Sequence, residues 1–317
     1  MRYVGIGISG YNYNLEMPLY VRIDMDEDAP AHGLNVTFPI SSDINQNVEE
    51  LNYIKVYSDD MEKLIFDGIV DEQETELSSS GAILKISSRS IVAILLDNEA
   101  LPQTYYLPSI DTIFKRHVKP YGFNGYIGNN KQFSTSFKVK KGMSEWSVLE
   151  SFCNDFLEVT PFFTNDRKLD ITGGTSGENI IFSNKGDGFK YTSISKNVKR
   201  YELISEVFVR CQKDGSYSNR IYSQKNIDSG IIKKCYLNSL DDIKTPVFRG
   251  EQIINKSLRD SFEINLVCIG GIFTEIGASA SILDDSIGDI NNLVVSNIRY
   301  RLSLSGEFCE VKLKYKI

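Results

Sequence analysis

Gly5-Ile-Gly-Ile-Ser-Gly10 has the glycine spacing of a dinucleotide-binding loop. In such a loop the glycines let the backbone approach a pyrophosphate at the N-terminus of a helix that follows a strand. Only four residues precede this segment, and the residues after it, from Tyr11 to Pro18, lack the apolar spacing of a helix. We therefore predict an edge strand that contains glycines, and no nucleotide site.

Asp24-Met-Asp-Glu-Asp28 begins like the calcium-binding loop of an EF-hand. That loop needs a glycine at its sixth position and a bidentate glutamate at its twelfth. The chain has Ala29 and Asn35 at those positions. The segment therefore predicts a solvated acidic turn and no metal site.

His32 and His117 are the only histidines, and neither belongs to a His-Glu-x-x-His motif. His117 falls in the last turn of a predicted helix, where a cation interacts favourably with the helix dipole, so we predict a structural role. No catalytic, cofactor-binding or metal-ligating residue is predicted, and no cofactor. The cysteines lack a Cys-x-x-Cys pair, which predicts reduced and mostly buried thiols: Cys153, Cys211, Cys235, Cys268 and Cys309.

The composition is that of a globular protein large enough for two or three domains. The chain has 317 residues, 41% of them hydrophobic and 24% charged, with a net charge of −7. An acidic chain argues against a mainly electrostatic grip on nucleic acid, so no specific nucleic-acid partner is predicted. The sequence contains neither a secretory signal nor an apolar run long enough to span a membrane.

Hydrophobic patterns predict an α+β, β-dominated fold with three domains. Short alternating strands fill residues 1–97. Residues 98–190 form an α+β module, with helices capped by Ser109 and Ser144 and a hairpin that turns at Asn165-Asp166. Trp146 lies on the apolar face of the second helix and is predicted to be core. Strands return in residues 191–317, interrupted by a polar, irregular excursion at about 212–261 that ends in a helix from Gly250 to Asp260.

Two distant hairpins share their turn sequence. Leu77-Ser-Ser-Ser-Gly81 and Leu302-Ser-Leu-Ser-Gly306 are separated by 225 positions, because 306 minus 81 is 225. At this offset the acidic turns before the hairpins also coincide. Convergence of two hairpins on common turn chemistry is one explanation; duplication of one β-barrel domain, separated by the α+β module, is the one we favour. The residues that define the repeat are Asp59, Asp60, Leu77, Ser80, Gly81, Asp284, Asp285, Leu302, Ser305 and Gly306.

Five segments, taken in order along the chain, carry a family resemblance. The first is Ile83-Leu-Lys-Ile-Ser-Ser-Arg-Ser and the last is Asn297-Ile-Arg-Tyr-Arg-Leu-Ser-Leu-Ser-Gly-Glu-Phe. Between them lie Leu107-Pro-Ser-Ile-Asp-Thr-Ile-Phe, Lys141-Gly-Met-Ser-Glu-Trp-Ser-Val-Leu and Ser193-Ile-Ser-Lys-Asn-Val-Lys-Arg. In their order and spacing these segments resemble the baseplate hub proteins of contractile phage tails and tailocins, the group that includes phage late control protein D. The resemblance spans nearly the whole chain.

The resemblance implies two similar tube-type β-barrels per chain and a homotrimer. Three chains would then give a pseudo-six-fold ring that joins a hexameric tail tube to a trimeric central spike. The implied partners are a second and third copy of the chain, the tail tube protein and the spike protein, with tape-measure and baseplate wedge proteins as further candidates. The implied location is the tail baseplate of a virion or tailocin, assembled in the bacterial host cytoplasm. The chain leaves no room for a lysozyme domain, so no enzyme activity is expected.

Two other functions stay open at this point. A tube initiator or distal tail protein would form a true hexamer with one barrel per subunit. A baseplate cell-wall hydrolase would need a pair of carboxylates, and the sequence singles out no such pair.

Overall fold

The computed structural model describes residues 1–40, 49–79, 81–172, 179–210, 215–238 and 246–316, and of 246–248 the backbone alone. Within these residues 21 strands outnumber five α-helices, so the β-dominated α+β class is confirmed. Contacts divide the chain into two compact units. Unit 1 comprises Met1–Gly174, Val267–Ile276 and Asn297–Val311, and unit 2 comprises Thr175–Leu266, Gly277–Ser296 and Lys312–Ile317. The three predicted domain boundaries stay predictions.

The N-terminal part of unit 1 consists of seven strands whose side chains alternate between apolar and polar, the pattern of a sheet with one buried face. Val21, Ile23 and Met25, for example, are buried while their neighbours are half-buried. The strands are β1 (Arg2–Gly7), β2 (Asn12–Leu15), β3 (Tyr20–Asp26), β4 (Gly33–Ile40), β5 (Leu51–Tyr57), β6 (Leu64–Ser78) and β7 (Gly81–Ser90).

These seven strands pair in the order β3-β4-β7-β6-β5-β1-β2, with every neighbouring pair antiparallel. The glycine-containing β1 is hydrogen-bonded on both sides, to β2 and to β5, so the prediction of an edge strand there is wrong. Its neighbour β2 lies at the edge instead. The prediction failed because local sequence specifies a strand but not which strands flank it.

The middle of the chain follows in unit 1 as a mixture of short strands and helices. Ser109 and Ser144 accept hydrogen bonds from the backbone N–H groups of Thr112 and Ser147, which confirms both predicted helix caps. The helix begun at Ile110 continues with π-helical geometry to Val118. The elements are α1 (Ala93–Asp97), β8 (Gln103–Tyr105), α2 (Ile110–Ile113), β9 (Gly125–Ile127), β10 (Phe137–Val139), α3 (Glu145–Phe152), β11 (Phe162–Phe163) and β12 (Lys168–Asp170).

Aromatic side chains dominate the core of this middle part. The rings of Phe152 and Phe156 stack with their centroids 4.9 Å apart, and Phe137 meets Phe152 edge-on at 5.5 Å. Trp146 is buried, as predicted. The predicted hairpin is confirmed as β11 and β12, which pair antiparallel around a turn that ends at Arg167.

Unit 2 and the remaining segments of unit 1 contain the rest of the strands. The unit boundary divides three of them, β18, β20 and β21. The elements are β13 (Asn179–Ser183), β14 (Ser193–Val198), β15 (Glu206–Val209), β16 (Asn219–Tyr222), α4 (Gln224–Asp228), β17 (Lys234–Leu237), α5 (Pro246–Asp260), β18 (Phe262–Ile269), β19 (Ser279–Leu283), β20 (Ile290–Ser303) and β21 (Gly306–Tyr315).

These strands form two sheet regions. In one, the order is β14-β18-β21-β20, and β19 pairs antiparallel with β20 and parallel with β13. In the other, β15 lies between β16 and β17. Within unit 1, the Asn297–Leu302 part of β20 pairs antiparallel with β3. This pairing places part of the last hairpin beside the N-terminal sheet.

The segment predicted as an irregular excursion has regular structure. β16 and β17 flank β15, and α5 covers the sheet through a small core of Val207, Val209, Ile221 and Ile254. The prediction of irregularity is therefore wrong for the strands, while the predicted helix from Gly250 to Asp260 is confirmed as the main part of α5. The strands were missed because each has only four residues, alternating a core side chain with an exposed one.

Candidate assembly surface

The two hairpins that define the predicted repeat are β6–β7 and β20–β21. Adding 225 to the bounds of β7, 81 and 90, gives 306 and 315, the bounds of β21; the same shift moves the end of β6, 78, to 303, the end of β20. Side-chain burial follows the same offset: the buried residues Leu84, Ile86 and Ser88 of β7 correspond to Cys309, Val311 and Leu313 of β21.

Both turns depend on a glycine with a positive φ. Gly81 has φ +129° and Gly306 has φ +114°, in the region that residues with a Cβ avoid. Beside Gly306, the hydroxyls of Ser303 and Ser305 lie 2.7 Å apart. Ser80, the counterpart of Ser305, lies outside the described residues. That the hairpins descend from one duplicated domain stays a prediction.

The first acidic turn joins β5 to β6. Asp60 accepts hydrogen bonds from the Ser58 hydroxyl and, at 3.1 Å, from the backbone N–H of Glu62. The bond from Ser58 is the main reason why the pKa of Asp60 lies below its ordinary value. The neighbouring Asp59 pairs with the N-terminal ammonium group of Met1.

The second acidic turn follows β19. Here Asp284 accepts the bonds, from the Tyr191 hydroxyl and, at 2.7 Å, from the backbone N–H of Ser286. The bond from Tyr191 lowers the pKa of Asp284, whereas Asp285 forms an ion pair with Lys185 at 2.7 Å. The offset of 225 places the counterpart of Asp60 at Asp285, but the turn is capped by Asp284, one residue earlier.

The tips of both hairpins expose a leucine to solvent. Leu77 is 83% exposed and Leu304 is fully exposed, while Leu302 is half-buried. Exposed leucines are common as single residues, but two at matching hairpin tips are candidate contact residues. Sequence reasoning missed Leu304, although its position in Leu-Ser-Leu-Ser-Gly was the available signal.

Among the described residues, β2 in unit 1 and β14 in unit 2 are the end strands of the main strand order. An edge strand has unpaired backbone N–H and C=O groups that can pair with another chain. In β14 the side chains are exposed at five of six positions, and Val198 is 57% exposed. Each of these edges and each hairpin tip is a separate candidate contact site for assembly.

A buried polar cluster surrounds His117. The Tyr105 hydroxyl lies 2.8 Å from Nε2 of His117, and Nδ1 of His117 is hydrogen-bonded to Glu145. The Tyr121 hydroxyl donates to the other carboxylate oxygen of Glu145 at 3.0 Å. Burial, and then the bond to Glu145, raise the pKa of Tyr121. The cluster ties β8 and the helix after Ile113 to the start of α3, a structural arrangement of the kind predicted for His117.

Asp24 is not part of a solvated turn. Its carboxylate lies in β3, where it is hydrogen-bonded to the side chains of Arg22 and Arg299. A carboxylate engaged by two arginines is unsuited to calcium. Across the described ranges, no group of three or more histidine, cysteine, aspartate or glutamate side chains is arranged to hold a metal ion. Among the same residues, no helix combines the length and apolar character needed to cross a bilayer.

The chain has the fold of phage tail proteins. The resemblance found in the sequence is therefore confirmed for the fold. No protein-family model matches the sequence, and no curated protein does. Similar solved structures include a tail protein from Neisseria meningitidis MC58, with 17% identity and a TM-score of 0.75, covering 99% of this chain and 97% of that one. The 43 kDa tail protein of prophage MuSo2 from Shewanella oneidensis has 12% identity and a TM-score of 0.78, over 99% and 98%.

A secretion-system protein also shares the fold. The E. coli c3393 protein, described as a component of the type VI secretion system with structural similarity to the T4 tail proteins gp27 and gp5, has 8% identity and a TM-score of 0.60. The match covers 93% of this chain and 73% of that one. One fold thus occurs both in phage tails and in this secretion system.

Proposed function

We propose that the protein is a structural, non-enzymatic hub in the baseplate of a contractile tail or tailocin. In this proposal three copies form a ring, each contributing two related β-domains, so that six similar positions face the tail tube and a three-fold face meets the central spike. The main support for this proposal is the similarity of the hairpins β6–β7 and β20–β21. At an offset of 225 residues, β7 and β21 agree in their bounds and buried positions, and β6 and β20 end at matching residues. Two related domains per chain are what a trimer needs to match a six-fold partner.

The edges and tips supply surfaces for this ring. Backbone groups along β2 and β14 lie at the ends of the strand order, and pairing them between subunits would remove open edges. The exposed Leu77 and Leu304 would be buried in the same assembly. The chain shares its fold with two tail proteins and a type VI secretion component, which supports a role in a phage tail or a related injection system.

Native mass spectrometry and electron microscopy of the purified chain, alone and mixed with tail tube protein, test the proposal. We expect a trimer, or a ring with pseudo-six-fold symmetry when the tube protein is present. Leu77→Glu combined with Leu304→Glu should lower the trimer fraction without changing the circular dichroism spectrum of the chain. Ile232→Glu, at a residue that is 86% exposed and lies on neither hairpin, is the matched control.

A hexamer of this chain would favour a tube initiator or distal tail protein. A monomer that enters no tail would contradict the proposal altogether. Clearing of purified peptidoglycan by the chain, abolished by a single carboxylate substitution, would contradict its non-enzymatic part.

A further inference from the structure

Among the described residues, α5 packs on one face of the sheet β16-β15-β17, and the other face carries the exposed Tyr222 and Tyr236. α5 packs on the side of Val207, Val209 and Ile221. Neighbouring side chains along a strand point to opposite faces, and the register pairs Glu206 with Tyr222 and Lys234, and Phe208 with Arg220 and Tyr236. The face opposite α5, here called the aromatic face, therefore consists of Glu206, Phe208, Arg220, Tyr222, Lys234 and Tyr236.

The aromatic face presents flat rings to solvent. The rings of Phe208 and Tyr236 are nearly parallel, at 16°, with their centroids 5.3 Å apart. The ring of Tyr217 lies edge-on to that of Tyr236, with 5.4 Å between the centroids. The Tyr217 hydroxyl donates a hydrogen bond to Oδ1 of Asn238 at 3.0 Å. Tyr236 is 61% exposed and Tyr222 is 52% exposed. Rings held by their neighbours and open on one side can stack with a planar ligand at little entropic cost.

Cations are placed among these rings. The Arg220 guanidinium lies 4.8 Å from the ring centroid of Tyr222, and Lys234 Nζ lies 5.8 Å from that of Phe208. Both cations also pair with Glu206, at 2.5 and 2.9 Å. Glu206 thus holds both cations in place. Because two cations face one carboxylate, the aromatic face has a net positive charge.

The surrounding segment is basic as well. Residues 199–261 contain 12 lysines and arginines against 8 aspartates and glutamates, a net charge of +4, in a chain whose net charge is −7. The rest of the chain therefore carries −11. Such an asymmetry points to a polyanionic ligand for this segment, and the whole-chain charge concealed it.

We propose that the aromatic face binds single-stranded nucleic acid without sequence preference. The bases stack on Tyr236 and Tyr222, and the phosphates meet Arg220 and Lys234. Stacking accepts every base, because each has a flat π-face, and the cations follow the backbone. This activity is independent of the proposed hub function.

Fluorescence anisotropy with the full chain and a labelled thymidine oligonucleotide of about 12 nucleotides tests the proposal. At about 50 mM salt we expect saturable binding that weakens as salt rises. Tyr236→Ala should weaken binding roughly tenfold, and Tyr236→Phe should retain it. Tyr106→Ala, at a tyrosine that is 78% exposed in unit 1, is the matched control and should change nothing.

Two further ligands separate stacking from charge. An abasic oligonucleotide of the same length and a duplex should bind less well, since neither offers unstacked bases. Arg220→Ala should reduce the slope of log K against log salt by about one. Circular dichroism verifies the fold of each variant; if Tyr236→Ala does not fold, Tyr222→Ala replaces it. Absence of binding by the wild-type chain, or equal binding of the abasic oligonucleotide, would overturn the proposal.

Discussion

Arg299 in β20 donates a hydrogen bond from Nε to Oδ1 of Asp24 in β3 over 2.7 Å, across 275 positions of sequence. Arg22 donates to the other carboxylate oxygen of Asp24 at 2.6 Å. Two residues before Arg299 in β20, and therefore on the same face, Asn297 donates to Asp26 at 2.8 Å. The acidic segment that begins like a calcium loop thus fastens the last hairpin to the N-terminal sheet within unit 1.

Asp24→Asn should destabilise the protein in a pH-dependent manner. Burial raises the pKa of Asp24, but the hydrogen bonds from Arg22 and Arg299 outweigh burial, and the pKa lies below its ordinary value. The native state therefore favours the charged form. Its stabilisation is present above about pH 3.9, the unfolded value, and is lost as the pH falls through the lower native value.

The expected cost of Asp24→Asn at pH 7 is about 1–2 kcal/mol, because both arginines are more than a third exposed and solvent screens the pairs. Chemical denaturation at a series of pH values measures it, with Asp187→Asn at an exposed aspartate as the control. The difference in the free energy of unfolding between wild type and variant should shrink as the pH falls through the native pKa of Asp24. A difference that persists unchanged at the lowest pH would refute this account.

His32 should make the protein less stable as the pH falls below 6.5. Burial lowers the pKa of His32 from 6.5 to about 4, and its Nδ1 has no hydrogen-bond partner among the described residues. Between these two values the unfolded chain binds a proton that the native protein does not. Stability is therefore complete above about pH 6.5 and falls towards pH 4, by up to roughly 3 kcal/mol.

His32→Gln should remove this part of the pH dependence. Denaturant unfolding of wild type and variant between pH 7 and pH 4 provides the comparison. Nuclear magnetic resonance of the two histidines, assigned with the same variant, reads the native pKa directly. Identical slopes in the two proteins, or a His32 signal that titrates near 6.5, would show that burial does not control this group.

Arg167 and Asp67 connect the middle part of unit 1 to its N-terminal sheet. Arg167 donates from Nε and Nη2 to the two carboxylate oxygens of Asp67, at 2.5 and 2.9 Å, across 100 positions. The Asp67 side chain is only 6% exposed. Arg167→Ala leaves this carboxylate buried without its partner and should cost about 3 kcal/mol.

The neighbouring Lys168 provides the control for Arg167. It pairs with Asp166 at 2.6 Å, but both side chains are about half exposed. Lys168→Ala should therefore change the free energy of unfolding by less than about 1 kcal/mol. Equal effects of the two substitutions in guanidinium denaturation would mean that the Arg167–Asp67 pair contributes no more than a surface ion pair.

Gly250→Ala should destabilise the protein, contrary to helix propensity. In an exposed helix, alanine in place of glycine stabilises by about 1 kcal/mol. At Gly250, however, a Cβ atom would lie 2.7 Å from Cβ of Ile221, because α5 approaches β16 closely there. We expect a loss of about 1–3 kcal/mol from overpacking.

Lys256→Ala, on the exposed side of α5, should be nearly neutral and controls for changes in helix propensity. Thermal unfolding followed by circular dichroism distinguishes the variants. A higher melting temperature for Gly250→Ala would show that α5 can move away from the sheet without cost.

The sequence by itself determined the local features of this protein. Alternating apolar residues specified most strands of the N-terminal sheet, and Ser109 and Ser144 marked the starts of two helices, because alternation and N-caps act over a few residues. The matching turn sequences at Gly81 and Gly306 located two hairpins in which three of the four strand bounds agree at the 225-residue offset. The class of fold followed from these features together with the family resemblance.

Only the tertiary structure decided which distant residues meet. Local patterns do not encode the order of strands, so they could not give the pairing of β20 with β3 or the contact between Arg299 and Asp24. They also could not reveal that β1 lies inside its sheet, or that short strands place Phe208 and Tyr236 side by side. These relationships arise when apolar faces are buried together, because burial selects among arrangements that local sequence allows equally.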